Sequence, residues 1–137
     1  QAFIPQFRSR GAGTIVNVTS SATLAPFPLV AVYTASKTAI EGFTDSLALE
    51  LREFDVRVKL VVPGYGPTTG FTANGQQRMQ GLVPAEYAPF AHRVFAGYSN
   101  DMLVTHEIDV ALAVANAVSD DSDQLRFAAG ADAMALT

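Results

Sequence analysis

Two short runs of β-branched and aliphatic residues, 14–19 and 56–62, flank a long stretch with helical periodicity. Each run is short and rich in apolar and β-branched residues, which fits a strand buried on both faces of a parallel sheet. Between them Ile40, Phe43, Leu47 and Leu51 recur at intervals of three and four. Glu41, Asp45, Arg52 and Glu53 mark a wetter side. The spacing predicts one helix from Tyr33 to about Phe54, with Asp55 as the turn that ends it. A connection this long between two buried strands makes them parallel neighbours joined by a right-handed crossover. The fold class is therefore α/β with a parallel sheet.

The remaining segments are placed around this unit. Residues 1–10 read as the last turns of a helix, with Arg8 and Arg10 near its C-terminus and Gly11 and Gly13 as its stop. Asn17 lies inside the first strand and needs a polar partner. Pro26 and Pro28 make residues 23–32 a loop. Residues 65–100 are irregular, rich in Gly and Pro and interleaved with aromatics, as in a lid or binding segment. Pro89 and Gly97 bracket one short helix there. Thr105 is the expected N-cap of a helix running to about Val118, with Glu107 and Asp109 in its first turn. Residues 119–123 form a solvated acidic loop, 125–129 a third strand and 131–136 a small apolar tail.

Composition excludes several classes. A net charge of -4 provides no basic footprint for nucleic acid. No apolar stretch is long enough to span a membrane, and there is no signal-peptide pattern. The absence of Cys removes disulfides and thiolate metal sites and fits a reducing, cytoplasmic setting. His92 and His106 are scattered and form no metal cluster.

The chemistry concentrates in Tyr33-Thr34-Ala35-Ser36-Lys37. On a helix, residues four apart share a face, one turn from each other. Tyrosine has a reference pKa of about 10, and a nearby cation favours its phenolate. Such a pair can exchange a proton with a substrate oxygen while a cofactor carries the redox chemistry. A bare Tyr-x-x-x-Lys match is weak, but its surroundings are specific. Ser20 precedes Tyr33 by thirteen residues and leaves the C-terminal end of the first strand, where ligands of parallel α/β sheets bind. Pro63-Gly64 closes the second strand at the same edge, and Thr68 follows.

Strand, Ser, loop, Tyr-x-x-x-Lys helix, strand, Pro-Gly and Thr in this order resemble the C-terminal half of a short-chain dehydrogenase/reductase. The resemblance is specific over about residues 11–68 and looser beyond. It implies that Ser20, with Ser21 as the nearest competitor, hydrogen-bonds the substrate oxygen. It implies that Tyr33 moves the proton and that Lys37 binds the nicotinamide ribose and tunes Tyr33. Pro63 and Gly64 match the pair that lines the nicotinamide, and Thr68 the residue that contacts the cofactor. The implied cofactor is NAD or NADP, and the implied substrate is a small carbonyl compound or alcohol. Homo-oligomerisation is expected, because the helix from Tyr33 matches the family's subunit-contact helix.

Two departures stand out. Gly66 replaces the apolar residue usual two positions after Gly64. The family's Gly-rich pyrophosphate turn, its residue selecting NAD from NADP and its catalytic Asn are all absent. The chain thus reads as the C-terminal part of a Rossmann-like doubly wound parallel sheet, about three strands with flanking helices, its N-terminal half absent. Residues 1–68 carry the catalytic motifs, 65–100 the substrate loop and 104–137 the last helix and strand. On its own the chain is expected to be inactive, and either to self-associate through the 14–19 edge and the Tyr33 helix or to be found with the missing segment as a separate piece. Two other readings are a non-catalytic binding or assembly module of the same fold and a sugar-nucleotide epimerase of the extended branch. The intact Ser, Tyr and Lys argue against the first, and the Ser20 spacing with Thr34-Ala35 argues against the second.

Overall fold

The computed structural model describes residues 2–79, 81–97 and 102–137. The helices are α1 (Ile4–Arg10), α2 (Ala31–Arg52), α3 (Gly70–Met79), α4 (Ala88–Ala96), α5 (Glu107–Ser119) and α6 (Ala131–Met134). The strands are β1 (Gly13–Val18), β2 (Val56–Pro63) and β3 (Arg126–Ala129). They form one parallel sheet in the order β1-β2-β3. The register pairs Val18 with Val61, and Pro63 with Ala129. All three C-terminal ends therefore meet at one edge.

Successive strand residues face opposite sides of a sheet. Val56 and Val58 point to α2, where they pack with Leu47 and Leu51 and with Ile4, Phe7 and Ile15 around them. Val61 points the other way, to Ala113 and Ala117 of α5, with Val16, Phe127 and Ala129 alongside. Small residues on α5 let that helix sit close to the sheet. Leu60 and Val61 are completely buried, and each such side chain contributes roughly 1.5–3 kcal/mol.

The chain steps from β1 to β2 to β3 in one direction, yet α2 and α5 cover opposite faces. The two crossovers therefore have opposite hands, and one departs from the right-handed rule. The second connection changes face by passing around the C-terminal edge of the sheet. Its length permits this, and it contains α3 and α4.

Three expectations need correction. β1 is half-buried rather than buried on both faces, because among the described residues it pairs only with β2. The segment after Tyr65 contains α3 as well as the bracketed helix; Gly70, Gly75 and a polar run hide it from any periodicity argument. Thr105 is not a cap, since α5 begins one residue later and His106 N–H donates to Asp109 at 2.8 Å. Asn17 finds its partner on α2, donating to Thr44 Oγ1 at 2.9 Å. Glu41 also turns inward, accepting from Thr19 and Thr23 at 3.2 and 2.5 Å.

The acidic loop after α5 wraps a lysine. Lys59 of β2 is only 2% exposed, and its ammonium donates to Asp120 and to the carbonyls of Ser122 and Gln124, each at 2.8 Å. A buried ammonium needs such a set of acceptors. The hydrogen bond from Lys59, then that from Ser122, holds the Asp120 carboxyl below its ordinary value of 3.8. A depressed folded-state pKa stabilises the fold above the ordinary value, and the gain is lost as pH falls through the folded one. The stability difference between the parent and Asp120→Asn should thus be constant above about pH 5 and shrink on acidification below 3.8. Urea denaturation across pH 3–7 checks this; a difference that grows on acidification contradicts it.

Candidate active site at the C-terminal sheet edge

The backbone brings the predicted residues to one edge. Thr19 N–H donates to Val61 O at 2.9 Å, so Ser20 leaves β1 beside the end of β2. Ser20 is extended, and its Oγ accepts from Ala22 N–H at 3.2 Å as the cap of a 3-10 turn, Ser21–Thr23. That bond uses a lone pair and leaves the hydroxyl proton for another acceptor. Ser21 lies inside the turn. A loop with Leu29 at φ 67 then leads into α2.

Tyr33 and Lys37 occupy the first two turns of α2. The Lys37 ammonium lies 5.7 Å from the Tyr33 ring centroid and donates to Val18 O at 3.4 Å. The last carbonyl of β1 thus ties the cation to the sheet edge. One long bond from an ammonium leaves two donors available. The Tyr33 hydroxyl hydrogen-bonds no described residue. Phe71 of α3 packs on the Tyr33 ring at a centroid distance of 5.9 Å and remains 59% exposed.

Pro63 and Gly64 follow at the end of β2, but Gly64 faces inward to protein. Its N–H donates to Ala129 O at 3.1 Å and to Thr105 Oγ1 at 3.0 Å. The space a Cβ would take is filled by the Asp132 carboxylate. Gly64 therefore makes room for Asp132, a role not anticipated from its match to a ligand-lining position. Asp132 accepts from Tyr65 N–H at 2.5 Å, and Thr105 N–H donates to Tyr65 O at 2.8 Å. Thr68 Oγ1 donates to Glu107 of α5 at 3.1 Å.

The structure brings Ser20, Tyr33, Lys37, Pro63 and Gly64 to one edge, with Thr68 turned toward α5. Thr105, Glu107 and Asp132 were missed as part of this region. A Gly directly after a strand at the C-terminal edge, Gly130, was the available signal for Asp132. Among the described residues no group of His, Asp and Glu side chains could hold a metal. No helix among them is long and apolar enough to cross a membrane.

Comparison with known proteins bears on the family and the fold. The chain is 32% identical over 135 residues to an uncharacterised oxidoreductase of Schizosaccharomyces pombe, covering 95% of this chain and 54% of that protein. It is 48% identical over 64 residues to dehydrogenase/reductase SDR family member 4 of Bos taurus, covering 47% of this chain and 23% of that one. The chain thus spans about half the length, or less, of these relatives. Among solved structures, NAD+-bound xylitol dehydrogenase superposes with a TM-score of 0.70 at 26% identity, covering 94% of this chain and 52% of the other. A short chain dehydrogenase from Burkholderia cenocepacia in complex with NADP gives 0.66 at 25% identity, covering 98% and 45%. The sequence profile of the short chain dehydrogenases matches residues 1–79. With that match over more than half its length, and with three parallel strands that superpose on such enzymes, the chain belongs to the short chain dehydrogenase family.

Proposed function

We propose that the full-length protein is an NAD(P)-dependent oxidoreductase acting on a small carbonyl compound or secondary alcohol. The observation that carries this is the Tyr33–Lys37 pair on α2, tied to the sheet edge by the Lys37 bond to Val18 O. The donor set fits the ribose end of a nicotinamide nucleotide. Lys37 has two ammonium donors left for vicinal hydroxyls, and the exposed Thr68 hydroxyl, which donates to Glu107, can still accept. When bound, the nicotinamide supplies or accepts the hydride.

The chain's own residues do the rest. Tyr33 donates its phenolic proton to the oxygen of a carbonyl being reduced, or takes it from an alcohol being oxidised. Lys37 places a positive charge beside the phenol, which favours negative charge on the Tyr33 oxygen once the proton has left. Ser20 donates its free proton to the same substrate oxygen and orients it. Phe71 covers the Tyr33 ring and reduces water access. The exposed Phe43 and Leu49 on α2 support assembly with a second copy. The family match over residues 1–79, which include Ser20, Tyr33 and Lys37, supports catalysis over a non-catalytic module.

The two serines separate the reading from its nearest rival. Ser20→Ala should lower kcat/KM about tenfold or more, the effect of losing a hydrogen bond to developing charge. Ser21→Ala should change it little. Steady-state kinetics of the full-length protein decides, and the reverse ranking would move the role to Ser21.

A further inference from the structure

We infer that Asp132 and Thr105 form a clamp that fixes the backbone of Gly64 and Tyr65, making both positioning residues for the nicotinamide half of the cofactor. This rests on the reading above that Pro63 and Gly64 line that half.

The geometry is closed on every side. Asp132 uses one carboxylate oxygen on Tyr65 N–H at 2.5 Å and the other on the Thr105 hydroxyl at 2.6 Å. Thr105 is 2% exposed, and its Oγ1 also accepts from Gly64 N–H at 3.0 Å. Its backbone N–H donates to Tyr65 O at 2.8 Å. Gly64 N–H, Tyr65 N–H and Tyr65 O, on three consecutive peptide groups at the end of β2, are thus held by one buried hydroxyl, one carboxylate and one amide. Both glycines that admit the clamp lack the Cβ that would collide with it: Gly64 against Asp132 and Gly130 against Thr105. The hydroxyl and amide come from Thr105, just before α5, and the carboxylate from α6 after β3, while the backbone they hold follows β2. No neighbouring pair of elements alone would place them.

A clamp on this side leaves the opposite side of the Pro63–Tyr65 backbone to meet a ligand. Its loosening should therefore be felt by the nicotinamide half and not by the adenosine half. The hydrogen-bond count also predicts which replacement is tolerated. With Asp132→Asn the remaining oxygen accepts from Tyr65 N–H, and the new amide donates to Thr105 Oγ1. The Thr105 hydroxyl then rotates to donate to Ala129 O, already 2.9 Å away. No group is left unpaired. Asp132→Ala leaves the Tyr65 N–H without its acceptor.

The test uses the full-length protein. NADH and NADPH are titrated by their fluorescence, and ADP-ribose and its 2′-phosphate by calorimetry. For the preferred reduced cofactor, Asp132→Ala should raise Kd at least about tenfold, with Asp132→Asn within about threefold of the parent. The matching ADP-ribose compound, which has no nicotinamide, should stay within about twofold for both variants. Equal loss of both ligand types, or of neither, in Asp132→Ala overturns the clamp. So does an Asn variant as weak as the Ala variant. If Asp132→Ala does not fold, Thr105→Ala replaces it, removing the Oγ1 that accepts from Gly64 and donates to Asp132. The Kd of the reduced cofactor should then rise at least about threefold while that of the ADP-ribose compound stays within about twofold. Equal loss or no loss of both overturns the clamp. Failure of the functional reading looks different: the parent would bind neither reduced cofactor, or would keep its turnover as Tyr33→Phe.

Discussion

Tyr33→Phe is expected to lower kcat of the full-length protein at least about a hundredfold, the lower range for losing a general acid–base group. The change removes one oxygen and keeps the ring. The ring is what Phe71 packs on and what the Lys37 ammonium faces. The hydroxyl hydrogen-bonds no described residue, so its removal orphans no protein partner. Stability and cofactor affinity should then stay close to the parent while turnover collapses. A kcat loss with unchanged NAD(P)H titration supports proton transfer by Tyr33. Retention of most turnover would show that another group moves the proton.

The second large effect is on stability. Gly130→Ala should cost roughly 2–6 kcal/mol, from backbone strain and from overpacking. Gly130 has φ 92 and ψ 157, a conformation that side-chain-bearing residues rarely adopt. The added methyl would also meet Thr105 at its Oγ1, Cβ and Cα. Thr105 cannot yield, because it is buried, accepts from Gly64 N–H, donates its hydroxyl proton to Asp132 and holds Tyr65 O with its N–H. Gly11 provides the control. It too has positive φ, at 59, but open space where its Cβ would be. Gly11→Ala should therefore cost only about 1 kcal/mol, the penalty for a left-handed residue without a clash. Urea denaturation of the full-length protein measures both, as a fall in midpoint at constant slope. Equal effects of the two substitutions would mean that the contact with Thr105 does not matter.

The elements of this chain were largely legible because their signals are local. Val56, Val58 and Leu60 to Val62 are apolar on both faces since β2 is the central strand, with a helix layer on each face. Leu47 and Leu51 mark the side of α2 that packs on the sheet, whereas Ile40 and Phe43, of the same period, stay exposed. The Tyr33–Lys37 proximity follows from helix geometry alone. Placing Ser20 and Pro63 at one edge needed only the inference that the strands are parallel.

Other features depended on partners distant in the chain. β1 carries the same residue types as β2 yet is only half-buried, because sheet order and not composition puts it at the end. α3 has no apolar period, and its one described ring contact is made by Phe71 with Tyr33 of α2. Lys59 reads as a break in an apolar strand until the loop after α5 folds over it with three acceptors. Thr105 reads as a helix cap, since Thr before Glu107 and Asp109 is what a cap looks like. Only the meeting of β2, β3 and α5 shows that its hydroxyl serves Gly64 and Asp132 instead. Periodicity reports which face of an element is buried. It carries no information about which polar groups meet when three elements converge, and that convergence set the backbone around Gly64.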